Sequence, residues 1–128
     1  ILMNGILSAN GFNGAYYGGN GASGGSVFLC GRRVLGSGIL QANGGVKGSQ
    51  SAVGDGGGGR IAVWHRFSWS PLTFERIQNR QTNGLLYSAT LDTFNGTLSV
   101  APGGTNAFAG TTGFWQAPPT RGSVLLVR

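Results

Sequence analysis

Two short motifs recur in strict alternation along the chain, and this constrains the fold more than any other feature. The first reads NGILSANG at Asn4–Gly11, SGILQANG at Ser37–Gly44 and NGTLSVAPG at Asn95–Gly103. The second reads GGSVFLCG at Gly24–Gly31, GGRIAVWH at Gly58–His65 and RGSVLLVR at Arg121–Arg128. Each places a short apolar or β-branched run after a glycine, the composition of a strand rather than of a helix. Gly5 and Gly38 are 33 residues apart, and Gly25 and Gly59 are 34 apart. Self-similarity at this period predicts an all-β chain: a short parallel β-solenoid, or β-helix, of about three coils, each strand stacking on its copies.

The third repeat is longer, with 58 residues from Gly38 to Gly96 and 63 from Gly59 to Gly122. The excess places an insertion at about 66–92 within a single domain spanning 1–128. RFSWSPLTFERI and LLYSATL read as two strands of this insertion, with Asn83-Gly84 as a hairpin signal between them. A short helix at Leu72–Asn79 is the alternative.

Glycine supplies 26 of 128 residues, yet 40% of the chain is hydrophobic, which separates it from a disordered Gly/Ser linker. Asn-Gly occurs seven times, at Asn4, Asn10, Asn13, Asn20, Asn43, Asn83 and Asn95, and is read here as a tight-turn signal. The glycine-rich connections FNGAYYGGNGASG, GVKGSQSAVGDGG and GTNAFAGTTGFWQAPPT are read as solvent loops with some extended pairing. Polyglycine-II-like segments packed on one another are the competing reading.

Charge is sparse: 9% of residues, with a net charge of +6. Scattered arginines argue against a dedicated nucleic-acid site. One cysteine, Cys30, excludes an internal disulfide and a cysteine-based metal cluster, and its apolar run predicts a buried thiol. No apolar run is long enough to span a bilayer as a helix.

Several candidate sites weaken on inspection. Gly54, Gly56 and Gly59 satisfy G-x-G-x-x-G, but a polar segment precedes them and the strand RIAVW follows, where a dinucleotide loop needs a strand before and a helix after. These glycines are read as the corner entering a strand. His65 is the only histidine, and Asp55, Glu75 and Asp92 are the only acids, which is thin for the paired carboxylates of a glycosidase or for a calcium site. The expectation is no catalytic residue, no cofactor and no metal. Candidate ligand or subunit contacts are Trp69, Arg76 and Arg80 in the insertion, and Trp115, read as an aromatic in an exposed loop before Pro118-Pro119. Tyr16, Tyr17, Trp64 and Phe114 complete the aromatics that either stack inside the coil or face a sugar. Asn95-Gly96-Thr97 is a glycosylation sequon.

GGGGRIAV at Gly56–Val63, F-x-G-T-L-S-V-x-x-G-G at Phe94–Gly104 and GSVLLV at Gly122–Val127 resemble a glycine-rich repeat of large bacterial surface and secreted proteins, with half-copies at Gly24–Leu29 and Gly36–Gly45. In that repeat, segments of the type GGGGGRIAI, FxGTIxAxGG and GAAGTVYL alternate. The resemblance covers most of the chain outside the insertion and implies an extracellular, adhesin-like or matrix-like β-helix, without a catalytic motif to carry over. The sequence opens mid-pattern at Ile1-Leu2-Met3, as an excised or processed piece would, and closes on the run SVLLVR, so neither end of the coil reads as capped. Uncapped ends predict contact with identical subunits, as a homopolymer, or with neighbouring repeats. The expected function is therefore an extracellular or cell-surface structural protein, a subunit or repeat segment of a filament or matrix assembling by head-to-tail strand stacking. A glycan- or receptor-binding adhesin module is the alternative, and a polysaccharide-active enzyme the second alternative.

Overall fold

The computed structural model describes residues 1–65, 85–86 and 94–116. It is all-β, with no helix among the described residues. The strands are β1 (Ile6–Ser8), β2 (Ser26–Cys30), β3 (Ile39–Gln41), β4 (Arg60–His65), β5 (Leu85–Leu86), β6 (Thr97–Ser99) and β7 (Thr111–Gln116). They form two sheets, of order β1-β3-β6 and β2-β4-β7-β5. All pairings are parallel except β5 with β7. One strand from each sheet, with the glycine-rich segment joining them, makes a rung. β1 and β2 belong to the first rung, β3 and β4 to the second, β6 and β7 to the third.

The register turns the sequence repeat into columns of like residues. Leu7, Leu40 and Leu98 are partners in one sheet; Val27, Ile61 and Thr112, and Leu29, Val63 and Phe114, are partners in the other. The inward members meet in one core of Val27, Val34, Leu40, Ala42, Ile61, Val63 and Phe94. Leu40, Ile61, Val34 and Val63 are fully buried. Burying each such side chain stabilises the fold by about 1.5–3 kcal/mol. All four lie from Val34 to Val63, in the second rung, which has neighbours on both sides.

The third strand of the second sheet differs from expectation. That place belongs to Thr111–Gln116, not to RGSVLLVR, and Arg121–Arg128 lie outside the described residues. Gly110 enters β7 as Gly59 enters β4 and Gly25 enters β2. A Cβ at Gly59 would overlap the carbonyl of Gly25, and one at Gly110 the carbonyl of Gly59. Of the expected insertion, only Leu85–Leu86 is described; it pairs antiparallel with Trp115 and Gln116 on the outer edge of β7. The outer edge of β7 is therefore covered at Trp115 and Gln116, while the run SVLLVR read as an uncapped end lies outside the described residues.

The glycine-rich connections are not solvent loops. Along the first returning segment, Gly21 and Gly24 donate to the carbonyls of Gly54 and Gly57 in the next rung. Ala22 and Gly25 donate instead to Phe12 and Ala9 in their own rung. Gly56 and Gly59 likewise donate to Gly45 and Ala42. Donors to each neighbour recur every third residue, the period of polyproline II, whose backbone makes all its hydrogen bonds outside its own strand. The polyglycine-II-like packing thus prevails over the loop reading, because a segment with carbonyls of neighbouring segments on several sides has no room for Cβ atoms. This packed region is the glycine lobe.

Candidate functional site

Among the described residues, those singled out from sequence do not converge on a catalytic centre. Trp69, Arg76, Arg80, Glu75 and Asp92 lie outside the described residues, so the structure places none of them. Trp115 lies in β7, not in an exposed loop. Its ring stacks on Trp64 at 5.7 Å between centroids and 20° between planes, and the Arg60 guanidinium sits 6.0 Å from the Trp115 centroid. Cys30, Trp64 and Trp115 are partners in successive rungs, so this aromatic pair belongs to the packing of the sheet. The half-buried Cys30 thiol is pushed up to about 11 by desolvation. Asn95 is exposed and its backbone N–H donates to Gly36. His65 closes β4.

Asp55 accepts the backbone N–H of Lys47 at 2.9 Å, and its carboxylate packs where a Cβ at Gly104 would lie. The acid thus braces the second rung and packs against Gly104 of the third. Among the described residues no cluster of three metal-ligating side chains exists. The G-x-G-x-x-G stretch is also accounted for. Gly56, Gly58, Gly59 and Arg60 donate their amides to Gly45, Phe108, Ala42 and Gly25. A phosphate cradle needs those same amides free.

The asparagines do something that the sequence did not suggest. Only Gly18 (φ 122°) and Gly36 (φ 112°) are left-handed among the described glycines, so the described Asn-Gly pairs are not left-handed turns. Five of the asparagines instead accept a backbone N–H from the following rung. Asn4 takes Ser37, Asn10 takes Asn43 at 2.7 Å, Asn13 takes Val46 at 2.9 Å, and Asn20 takes Gly54 at 2.8 Å. Asn43 repeats the pattern, accepting Ala101 N–H at 2.8 Å and the Ser99 hydroxyl at 2.6 Å. The glycines after Asn10, Asn13, Asn20 and Asn43 let a neighbouring segment approach.

What the arrangement offers chemically is an edge. β1 and β2 stand at the ends of their sheets, each paired on one side among the described residues. Ile6 is 66% exposed and Phe28 48% exposed on that rung. Phe12, Tyr16, Tyr17 and, on the third rung, Phe108 are exposed as well, with Tyr16 and Tyr17 in edge-to-face contact at 5.0 Å. The strand periodicity made β1 and β2 legible, but the exposed edge follows only from the stacking order. No family model, curated protein or solved structure matches the chain.

Proposed function

We propose that this chain is a non-enzymatic structural segment of an extracellular or cell-surface β-solenoid, and that it extends by strand addition at its first rung. The observation that carries the reading is the pair of parallel edges on β1 and β2. Both belong to ladders that stack in register, with β1 and β3 offset by 33 residues and β2 and β4 by 34. A further rung placed there continues both sheets at once and covers Ile6, Leu7 and Phe28. β5 on the outer edge of β7 favours a neighbouring repeat on the first rung over a head-to-tail homopolymer, because that homopolymer needs both ends of the second sheet open. The low charge, the exposed asparagines and the likeness to glycine-rich repeats of bacterial surface proteins support the placement outside the cell.

A peptide of the sequence SGILQANG, residues 37–44, tests the edge. In the β1–β3 ladder, Gly5 and Ala9 bond β3 on one side, so alternation directs the Ser8 N–H to the other. The peptide is expected to slow amide exchange of Ser8, and Ser8→Pro to abolish binding. An unchanged Ser8 exchange rate at millimolar peptide overturns the reading.

A further inference from the structure

The glycines of the lobe form columns, and one rung breaks them. A Cβ at Gly45 would overlap the carbonyl of Phe12, and one at Gly103 the carbonyl of Gly45. Residues 12, 45 and 103 are thus one column, spaced as the strands β1, β3 and β6 are. At Gly45 and Gly103 the Cβ direction points at the preceding rung, and the shared column gives Phe12 the same outward direction. Gly48 stands the same way against the carbonyl of Ala15, and Gly56 against that of Ala22. The second rung carries glycine at all three places, and the third carries Gly103 at the column of residue 12, because backbone lies directly there. The first rung carries Phe12, Ala15 and Ala22, all exposed, with Phe12 at 88%.

The strand columns behave differently. Gly5, Gly38 and Gly96 form one, and Gly25, Gly59 and Gly110 another, and both keep glycine on the first rung. A Cβ at Gly5 meets nothing within 4 Å, whereas one at Gly38 would overlap the Gly5 carbonyl. The first-rung end is therefore divided: its strand ends keep the glycines that a stacked rung requires, and its lobe replaces them with side chains.

We propose that Phe12, Ala15 and Ala22 are a steric stop that ends the glycine lobe, so that the first rung pairs with the strands of a further rung but leaves no place for a glycine lobe packed against its own. The inference rests on the strand-addition reading above and names its partner. A rung bearing its own glycine lobe, a second copy of this chain's third rung included, meets the Phe12 side chain where its backbone must lie. A narrower rung pairs with β1 and β2 and leaves Phe12, Tyr16 and Tyr17 outside its footprint. The asparagine pattern adds a requirement: the Asn10 position receives an asparagine oxygen in the two later rungs, from Asn10 to Asn43 and from Asn43 to Ala101. An ideal partner rung carries an asparagine at the start of its connection.

The test adds a rung in cis. Residues 1–33 are duplicated ahead of Ile1 in the full chain, once with the native first rung and once with Phe12→Gly, Ala15→Gly and Ala22→Gly in the original copy. Amide hydrogen exchange is read on the added strands and the added lobe separately. With the native rung, the added strand amides are expected to be protected and the added lobe amides to exchange at least tenfold faster than their equivalents around Gly45 and Gly56. With the three glycines, both are expected to be protected. An added lobe protected in both backgrounds, or in neither while the strands are protected, overturns the stop. Added strands unprotected in both backgrounds overturn the strand-addition reading, and the stop with it.

Discussion

Asn43 holds two partners on one oxygen, the Ala101 amide and the Ser99 hydroxyl, and so joins the second rung to the third. Removing that oxygen takes the acceptor from an exposed backbone amide and a part-buried hydroxyl, which costs roughly 0.5–1.5 kcal/mol. Asn43→Ala is expected to lower stability in urea by that amount, and Asn43→Asp, which keeps an acceptor there, by less. The glycines divide just as sharply. Gly45→Ala drives a Cβ into the Phe12 carbonyl, whereas Gly54→Ala meets nothing within 4 Å. The first is expected to destabilise by more than about 2 kcal/mol and the second by less than about 0.5 kcal/mol, measured by thermal unfolding. Cys30 titrates near 11 rather than at its usual 9.0 because burial opposes the thiolate. Its folded value is raised, so its contribution to stability is complete below pH 9 and is lost as pH rises toward 11. Alkylation of the native chain by iodoacetamide at pH 8 is expected to be slower than that of the urea-unfolded chain, and equal rates would contradict the burial.

At the scale of the element, burial rather than composition separates equivalent residues. Leu7, Leu40 and Leu98 share a column, but Leu40 is fully buried and Leu7 is 38% exposed. Leu40→Ala is expected to cost about 2–5 kcal/mol and Leu7→Ala less than half as much, compared by denaturant midpoints at a common slope. The ladders β1-β3-β6 and β2-β4 were legible because a glycine followed by an apolar run repeats at fixed spacing. β7 was not. Its sequence TTGFWQ carries a glycine at the column of Phe28 and Ala62, and its aromatics read as loop residues before a proline pair. RGSVLLVR matched the pattern better, but pattern carries no register: β7 is fixed by the Trp64–Trp115 stack and by Gly110 beneath Gly59. The lobe was misread for a related reason. Glycine marks both freedom and crowding, and only the hydrogen bonds at every third residue tell the two apart. The candidate edge was half visible, as unpaired ends, while the cover that β5 gives β7 depends on a contact distant in sequence.

For the molecule as a whole, stability is distributed along a stack in which each rung touches only its neighbours. The first rung has one neighbour among the described residues and the second has two, so the first opens before the second. Native-state exchange is expected to rank the amides of β1 and β2 as faster than those of β3 and β4, and a reversed order would refute this picture of the stack. The asparagine contacts give that stack a sense as well as a stability. In every described case the side chain belongs to the earlier rung and the captured amide to the later one. A ribosome makes the chain from its N-terminus, and units fold in the order in which they emerge. Each rung therefore leaves the ribosome with its receptors already displayed, and the amides that they catch arrive 33 to 58 residues later. Growth of the stack is vectorial, each finished rung serving as the mould for the next.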